Sequence, residues 1–366
     1  MGTHQHKGRV VIRTDASSLI GSGHVMRCLT LADELQSYGK EVVFVCRLLE
    51  GNACNYIKQR GYRVYPITSA IPLDLKAQPY DQEDIAVTIE AAVEHTQSTC
   101  DWLIVDHYNI DEQWEKEMRP YCSKRMAIDD LADRRHDVDI LLDQNLSEHP
   151  QSRYKGLVSE QCRMLLGVEF LLLRPSFFEA RRTLRKRSGY LERLLVFFGG
   201  SDPTDETTKA LHSLALIPYK EIFVDVVIGQ ANPRRHQIEQ HCQMMKNVTL
   251  HIQIENVAEL IAKADFALGA GGVAMWERCY LGLPSAVTIV ADNQAEAVHS
   301  ARRLDAIWNL GWHDRVMSSD YANVLTKAAD SAHALLNMGQ SALAASGSKE
   351  GPFESRVARI LMEQTW

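Results

Sequence analysis

Apolar residues along this chain fall into short unbroken runs separated by stretches of helical period. In the first half the runs are Val10–Ile12, Val42–Val45, Val64–Ile67, Trp102–Val105, Met126–Ile128 and Ile140–Leu142. Runs without polar alternation are those of strands buried on both faces. Between the first two, Val25, Cys28, Leu29, Ala32 and Leu35 recur every three or four residues, the stripe of a helix packed on a core. Strands alternating with helices predict an α/β fold in which helices wrap a parallel sheet. After a charged stretch, Glu179 to Tyr190, the pattern resumes with Leu194–Phe198, Phe223–Ile228, Val248–Ile252, Phe266–Leu268 and Ser285–Ile289, which predicts a second Rossmann-like domain. The expected organisation is an N-terminal domain over 8–178, a linker over 179–190, a C-terminal domain over 191–345 and a C-terminal helix within 346–366 that packs back on the first domain. The basic run Arg181 to Arg187 has no interleaved aromatics and reads as a solvated linker or helix face.

At 366 residues the chain is long enough for two ordinary cores. A composition of 45% apolar and 24% charged residues is that of a globular protein, and a formal net charge of −7 argues against a general nucleic-acid binder. No run approaches the ~20 apolar residues of a membrane span. The start, MGTHQHKGR, lacks the apolar centre of a signal peptide, so a cytoplasmic protein is expected. His4 and His6 in that start carry no metal argument. The eight cysteines, at positions 28, 46, 54, 100, 122, 162, 242 and 279, form no Cys-x-x-Cys pair. They read as core thiols of a reducing compartment, and no metal site is expected. The tight pair Asp137 and Asp139 precedes a strand instead of following one, away from where ligands gather in such sheets.

Candidate chemistry begins where the first strand gives way to the first helix, in VVIRTDASSLIGSGHVMRCLTLADEL. Gly21 and Gly23 allow a tight turn, and the free N–H groups of the following helix favour an anion such as a diphosphate. His24 would stand beside it. A nicotinamide fingerprint would continue with a third glycine, but Arg27 occupies that position, and Arg47 follows the second strand where an acidic ribose ligand would be needed. Runs ending in Asp106-His107-Tyr108-Asn109, Asp129-Asp130 and Asp143-Gln144-Asn145 either line a ligand crevice or make turns and caps. Asp15 either orients His24, binds a sugar hydroxyl or caps its turn. In the second half Gly199-Gly200-Ser201-Asp202-Pro203 follows one strand, with Asp202 as a cap and Pro203 suited to a first helical turn. Gly269, Gly271 and Gly272 follow another and lead into a helix carrying Glu277. Backbone N–H groups there suit phosphates, and a carboxylate one turn on can accept both ribose hydroxyls.

Taken in order, RTDASSLIGSGHVMRCLTLA, FFGGSDPT, GAGGVAMWERCYLGLPS and ADNQ resemble the UDP-sugar hydrolases of pseudaminic acid biosynthesis (the PseG family), relatives of MurG-type glycosyltransferases with the GT-B fold. The resemblance implies two Rossmann-like domains facing across a cleft. It implies hydrolysis of UDP-2,4-diacetamido-2,4,6-trideoxy-β-L-altropyranose to UDP and the free sugar, a precursor of a nonulosonate that decorates flagellin and cell surfaces. Carried over by position, His24 is the catalytic residue, and the substrate-binding set is Asp15, Gly21, Gly23, Arg174, Gly200, Ser201, Ile254, Val257, Gly271, Gly272, Glu277, Asn293 and Gln294. Glu277 would hold the ribose, Arg174 would lie near the substrate cleft, and Asn293 and Gln294 would contact sugar or phosphate. Where relatives carry hydroxyl residues after the glycines, this chain has Val273-Ala274-Met275, so diphosphate binding there would rest on backbone N–H groups. Extra length relative to the family falls in Ser69–Glu83 and near the C terminus.

His24, kept neutral by its helix N-terminus, would take a proton from water as that water attacks the anomeric carbon, and the C–O bond would break with inversion. No cofactor is expected; the partner is a small nucleotide sugar, with neither nucleic acid nor membrane, and a monomer is expected. Two alternatives remain open on the sequence: a GT-B glycosyltransferase using a UDP-amino sugar, and a non-catalytic nucleotide-sugar binding subunit.

Overall fold

In the computed structural model, which describes residues 8–69, 80–93, 99–217, 222–347 and 356–363, the chain folds into two units, each around its own parallel sheet. One unit holds the described residues up to Asn145, then His149–Leu172 and the C-terminal helix Arg356–Met362. The other holds Leu146–Glu148 and the described residues from Leu173 to Gly347. Of the extra length expected in Ser69–Glu83, residues 70–79 lie outside the described residues, as do His4 and His6.

The first sheet contains β1 (Arg9–Thr14), β2 (Glu41–Arg47), β3 (Arg63–Ile67), β4 (Cys100–Asp106), β5 (Cys122–Ile128), β6 (Ile140–Asp143) and β7 (Arg163–Leu166), ordered β3-β2-β1-β4-β5-β6-β7. Every pairing is parallel. Successive strand side chains face opposite ways, so β1 splits its apolar residues between two layers. Val10 and Ile12 pack with Val25, Cys28 and Leu29 of the helix Gly23–Ser37, whereas Val11 packs with Val43, Val45, Ala91 and Trp114. The short helix Arg356–Met362 completes the first layer with Val357, Ala358, Ile360 and Leu361, and Trp102 Nε1 donates to Leu361 O at 3.2 Å. Val357 is fully buried. A carboxylate there would be enclosed without a partner, so Val357→Asp is expected to destabilise the protein by about 3 kcal/mol or more. Urea unfolding followed by tryptophan fluorescence checks this; an unchanged midpoint would show that the helix does not belong to the core.

The second sheet contains β8 (Arg193–Phe197), β9 (Phe223–Ile228), β10 (Val248–Ile252), β11 (Phe266–Ala270), β12 (Ser285–Ile289) and β13 (Trp308–Trp312), ordered β10-β9-β8-β11-β12-β13 and also parallel. In both sheets the strand order reverses once, between β1 and β4 and between β8 and β11. Open α/β sheets bind ligands beyond the strand carboxyl ends at such reversals.

The basic run Arg181 to Arg187 is solvated only in part: Arg182, Arg185 and Lys186 are exposed, and Arg181 and Arg182 end the helix Pro175–Arg182, but three of its guanidinium groups are tied into the unit. Arg181 is buried and donates to Tyr280 O, and Arg185 bonds Lys263 O and Asp265. Arg187 donates to Ile261 O and Ala264 O, where helix Val257–Lys263 ends, and to Leu281 O and Gly282 O, where helix Val273–Tyr280 ends. A guanidinium has five donors in a fixed fork and suits carbonyls left orphaned at helix ends. Burial, then Arg185, pushes Arg187 down to about 10. The run therefore straps the second unit together.

All eight cysteines are buried and free. Among the described residues no helix is long and apolar enough to cross a membrane.

Candidate active site

His24 is the second residue of the helix Gly23–Ser37, whose cap residue Ser22 makes no side-chain cap bond and whose first turn carries no acidic residue. Gly21 takes a positive φ of 81° in the turn before it, and Gly23 is exposed. Val25 and Cys28 anchor this helix in the core, and residues three and four positions on share its face, so His24, Arg27 and Cys28 all meet the end of β4. There Asp106, fully buried, accepts from His24 Nδ1 at 2.5 Å, from Arg27 Nε at 2.6 Å and from Arg27 Nη2 at 2.6 Å. Burial pushes the Asp106 carboxyl up, but Arg27 and then His24 outweigh it and hold it well below the usual carboxylate range. An ionised carboxylate only accepts, so Nδ1 of the imidazole carries the hydrogen. Nε2 makes no hydrogen bond within the described residues. An imidazole held in this tautomer by a buried carboxylate is the arrangement of a general base.

The ring is also packed. Tyr108 meets His24 edge to face at 4.5 Å, and Tyr108 bonds Asp130, which stands 3.5 Å from Arg27 Nη1. Burial, then Asp130, pushes the Tyr108 phenol well above its ordinary range. Asp130 Oδ1 and Gln144 Nε2 are enclosed without a partner. Besides the helix N-terminus noted in the sequence, a carboxylate at 2.5 Å and a guanidinium at 3.2 Å stand against His24.

Asp15 does not orient His24. Its carboxylate accepts from Arg13 at 2.7 and 3.0 Å, from the Arg47 backbone N–H at 2.7 Å and from His107 Nε2 at 3.1 Å. Burial raises its pKa, but Arg13 and His107 drive it well below the ordinary range. With Arg13 and Arg47 also bound to the fully buried Asp84, Asp15 belongs to a network tying β1 to β2 and to helix Gln82–Val93. The pair Asp137 and Asp139 is likewise occupied by Arg119, Lys124 and Arg125.

In the second unit Gly200 and Ser201 lie in the bend after β8, where Gly200 O accepts from Gly229 N. Asp202 caps the next helix, but that helix starts at Glu206, so Pro203 stands outside its first turn. The Asp202 carboxylate accepts from Glu206 N at 3.1 Å and Thr207 N at 2.8 Å. Those two backbone donors are thus already taken up by the Asp202 side chain.

After β11 the glycines divide their work. A Cβ on Gly271 would run into Val298, and the Gly271 N–H donates to Gln294 Oε1 at 3.1 Å, as does Val290 N at 3.2 Å. Gln294 thus pins the glycine loop with its carbonyl oxygen, and the Gly271 N–H is not open to a ligand. Gly272 is the cap residue of helix Val273–Tyr280, which has no side-chain cap bond and no acidic residue in its first turn; Met275 N donates to Gly272 O at 2.9 Å, and the N–H groups of Val273 and Ala274 have no side-chain cap. Asn293 lies half-buried in the turn before helix Ala295–Arg303. Glu277 and Arg174 are brought together: Arg174 Nη2 donates to Glu277 Oε1 at 3.3 Å, and Nη1 to Glu255 O at 2.7 Å. Ile254 is half-buried beside that carbonyl, and Val257 is buried at the start of helix Val257–Lys263.

The sequence did not single out Asp106, Arg27, Tyr108 or Asp130 as one site. The usable signal was spacing: His24 and Arg27 share a helix face, and Asp106 ends the strand next to β1 across the reversal of strand order.

No family model matches the chain. It is 26% identical over 295 residues to an uncharacterized protein of Methanocaldococcus jannaschii, a match covering 79% of this chain and 57% of that one, so the chain spans little more than half of that relative. It is 28% identical over 258 residues, 70% of this chain and 82% of that one, to the UDP-2,4-diacetamido-2,4,6-trideoxy-beta-L-altropyranose hydrolase of Campylobacter jejuni. A relative of the kind that the four motifs resemble thus aligns with 70% of this chain. Acinetobacter baumannii MurG superposes over 92% of this chain and 95% of its own with a TM-score of 0.57 at 13% identity. The fold is GT-B.

Proposed function

We propose that the chain hydrolyses a UDP-linked diacetamido-trideoxy sugar of the kind named for the Campylobacter relative, releasing UDP and the free sugar. The observation that carries the reading is the His24–Asp106 pair, with Nδ1 bound to a buried carboxylate and Nε2 left open. In this reading the water oxygen bonds to the anomeric carbon as one of its protons passes to His24 Nε2. The anomeric C–O bond breaks, its electron pair leaves on the UDP oxygen, and the configuration inverts. Asp106 stabilises the imidazolium that forms, and the proton then passes to solvent. UDP needs no protonation to leave.

The second unit holds the nucleotide: Glu277 accepts from the ribose hydroxyls, and the uncapped opening of helix Val273–Tyr280 meets the diphosphate. Removing an ionised hydrogen-bond partner costs roughly 1.5–3 kcal/mol, so Glu277→Ala is expected to weaken UDP binding about tenfold or more, as isothermal titration calorimetry would read. Unchanged affinity would remove the ribose role from Glu277. The same His24 could take its proton from an acceptor hydroxyl, as in a glycosyltransferase. Incubating the protein with the nucleotide sugar in the absence of acceptor distinguishes the two, since only a hydrolase then releases UDP.

A further inference from the structure

Arg278 is fully buried on helix Val273–Tyr280, one residue beyond Glu277. Its guanidinium lies against the carboxyl end of β11: Nη2 donates to Ala270 O at 2.8 Å and Nε to Ser285 Oγ at 3.2 Å, while Nη1 has no partner. Among the described residues no carboxylate forms an ion pair with it. This contrasts with Arg13 and Arg27, two of the buried arginines of the first unit, which are bound by Asp15, Asp84 and Asp106. Burial, only partly offset by Cys279 and Glu277, pushes Arg278 down to about 10, which leaves it charged at neutral pH.

An enclosed cation without a counter-ion is costly, yet the chain makes room for this one. A Cβ on Gly269 would come within 2.6 Å of Arg278 Nη1 and within 2.6 Å of Phe197 O. Gly269 pairs in register with Phe197, so the cation sits where the strands bearing both glycine turns run side by side. Just beyond, helix Val273–Tyr280 opens without a cap, and Val273-Ala274-Met275 offer no hydroxyl.

We propose that Arg278 is the buried counter-charge for a nucleoside diphosphate, acting on the phosphates through the Gly269–Gly272 turn without touching them. The proposal rests on the reading of the second unit as the UDP site. A fixed charge inside a low-dielectric unit acts over longer distances than the same charge in water. It supplies the electrostatic part of anion binding that uncapped N–H groups supply only by hydrogen bonding. Glu277, by contrast, addresses the sugar of the nucleotide, so the two neighbouring residues divide recognition into a phosphate share and a ribose share.

The test compares UDP with uridine, which lacks the phosphates, on the full chain by calorimetry and ligand-observed NMR. Arg278→Met is expected to weaken UDP binding about tenfold while leaving uridine binding unchanged, and Arg278→Lys, which keeps the charge, is expected to restore most of the loss. Raising salt should weaken UDP binding less in Arg278→Met than in the wild type. UDP affinity within twofold of wild type in Arg278→Met, or equal losses for UDP and uridine, would overturn the inference and leave the UDP site standing. Wild-type protein that binds no UDP would overturn the UDP site itself. Should the circular dichroism spectrum of Arg278→Met show an unfolded chain, Arg278→Gln, which removes the charge but keeps a donor for the buried carbonyl, is expected to show the same selective loss of UDP affinity; equal losses would again overturn the inference.

Discussion

Replacing His24 with alanine is expected to lower turnover of the nucleotide sugar by 10²–10⁴-fold or more, the range for loss of a general base, with UDP affinity unchanged. His24 donates to Asp106 and lies 3.2 Å from Arg27 Nη2 in the first unit, whereas the proposed UDP contacts are all in the second. Chemistry and nucleotide affinity should therefore separate. Single-turnover assays with a UDP titration measure both. Residual activity within tenfold of wild type would remove His24 from the mechanism, and a parallel loss of UDP affinity would make its role one of binding.

The second large effect is expected at Asp106. Asp106→Asn keeps the size of the side chain but replaces an acceptor of three charge-assisted bonds with an amide that can donate. An amide donating to Nδ1 would leave the hydrogen on Nε2, the wrong tautomer for a base, and the corresponding change in a serine-protease triad costs roughly 10⁴-fold. A loss of 10²–10⁴-fold in kcat is expected, with a kcat–pH profile displaced from that of the wild type and UDP affinity retained. A profile of unchanged shape would mean that Asp106 acts only in folding. Stability also shifts, because Arg27 loses its nearest charged partner and keeps only Asp130 at 3.5 Å; breaking a buried pair typically costs about 3–5 kcal/mol. In the wild type Asp106 is held below its unfolded value, so its contribution is present in full above the ordinary carboxylate pKa of ~4 and fades as pH falls below it. The variant should lose stability at neutral pH and show a shallower acid unfolding slope.

The strand pattern of both sheets was legible because parallel strands buried on both faces leave unbroken apolar runs, as in Val42–Val45 and Leu194–Phe198. Two edge strands were missed: β7 in the first sheet, whose short run Met164–Leu166 was not picked out, and β13 in the second, where Asn309 and Gly311 interrupt the apolar residues. Edge strands need less burial, so their sequences carry less of the signal. Arg181–Arg187 misled for a related reason. Charge run and solvent exposure usually go together, but guanidinium groups also satisfy helix-terminal carbonyls, and spacing along the chain does not show which helix ends lie nearby.

At the candidate site, His24 was legible from its glycine turn at a strand–helix junction, and Glu277 from its place one turn into the helix after a glycine cluster. Partners distant in sequence were not. Asp106 lies 82 residues from His24, and only the strand order places the ends of β1 and β4 side by side. Asp15, nearer in the chain, had orienting His24 as one of three open roles, but it is drawn off by Arg13, Arg47 and His107. Gln294 was expected to touch the ligand, yet its oxygen serves two backbone N–H groups. The glycines were read as open phosphate donors, whereas Gly269 makes room for Arg278 and Gly271 for Val298.

The central claim is tested most directly by a proton and phosphorus NMR time course of the purified chain with UDP-2,4-diacetamido-2,4,6-trideoxy-β-L-altropyranose, without acceptor, alongside His24→Ala. The expected result is release of UDP and of free sugar with inverted anomeric configuration by the wild type and not by the variant. An intact nucleotide sugar in the wild-type reaction, with UDP still bound by the protein, would contradict hydrolysis and favour transfer to an acceptor.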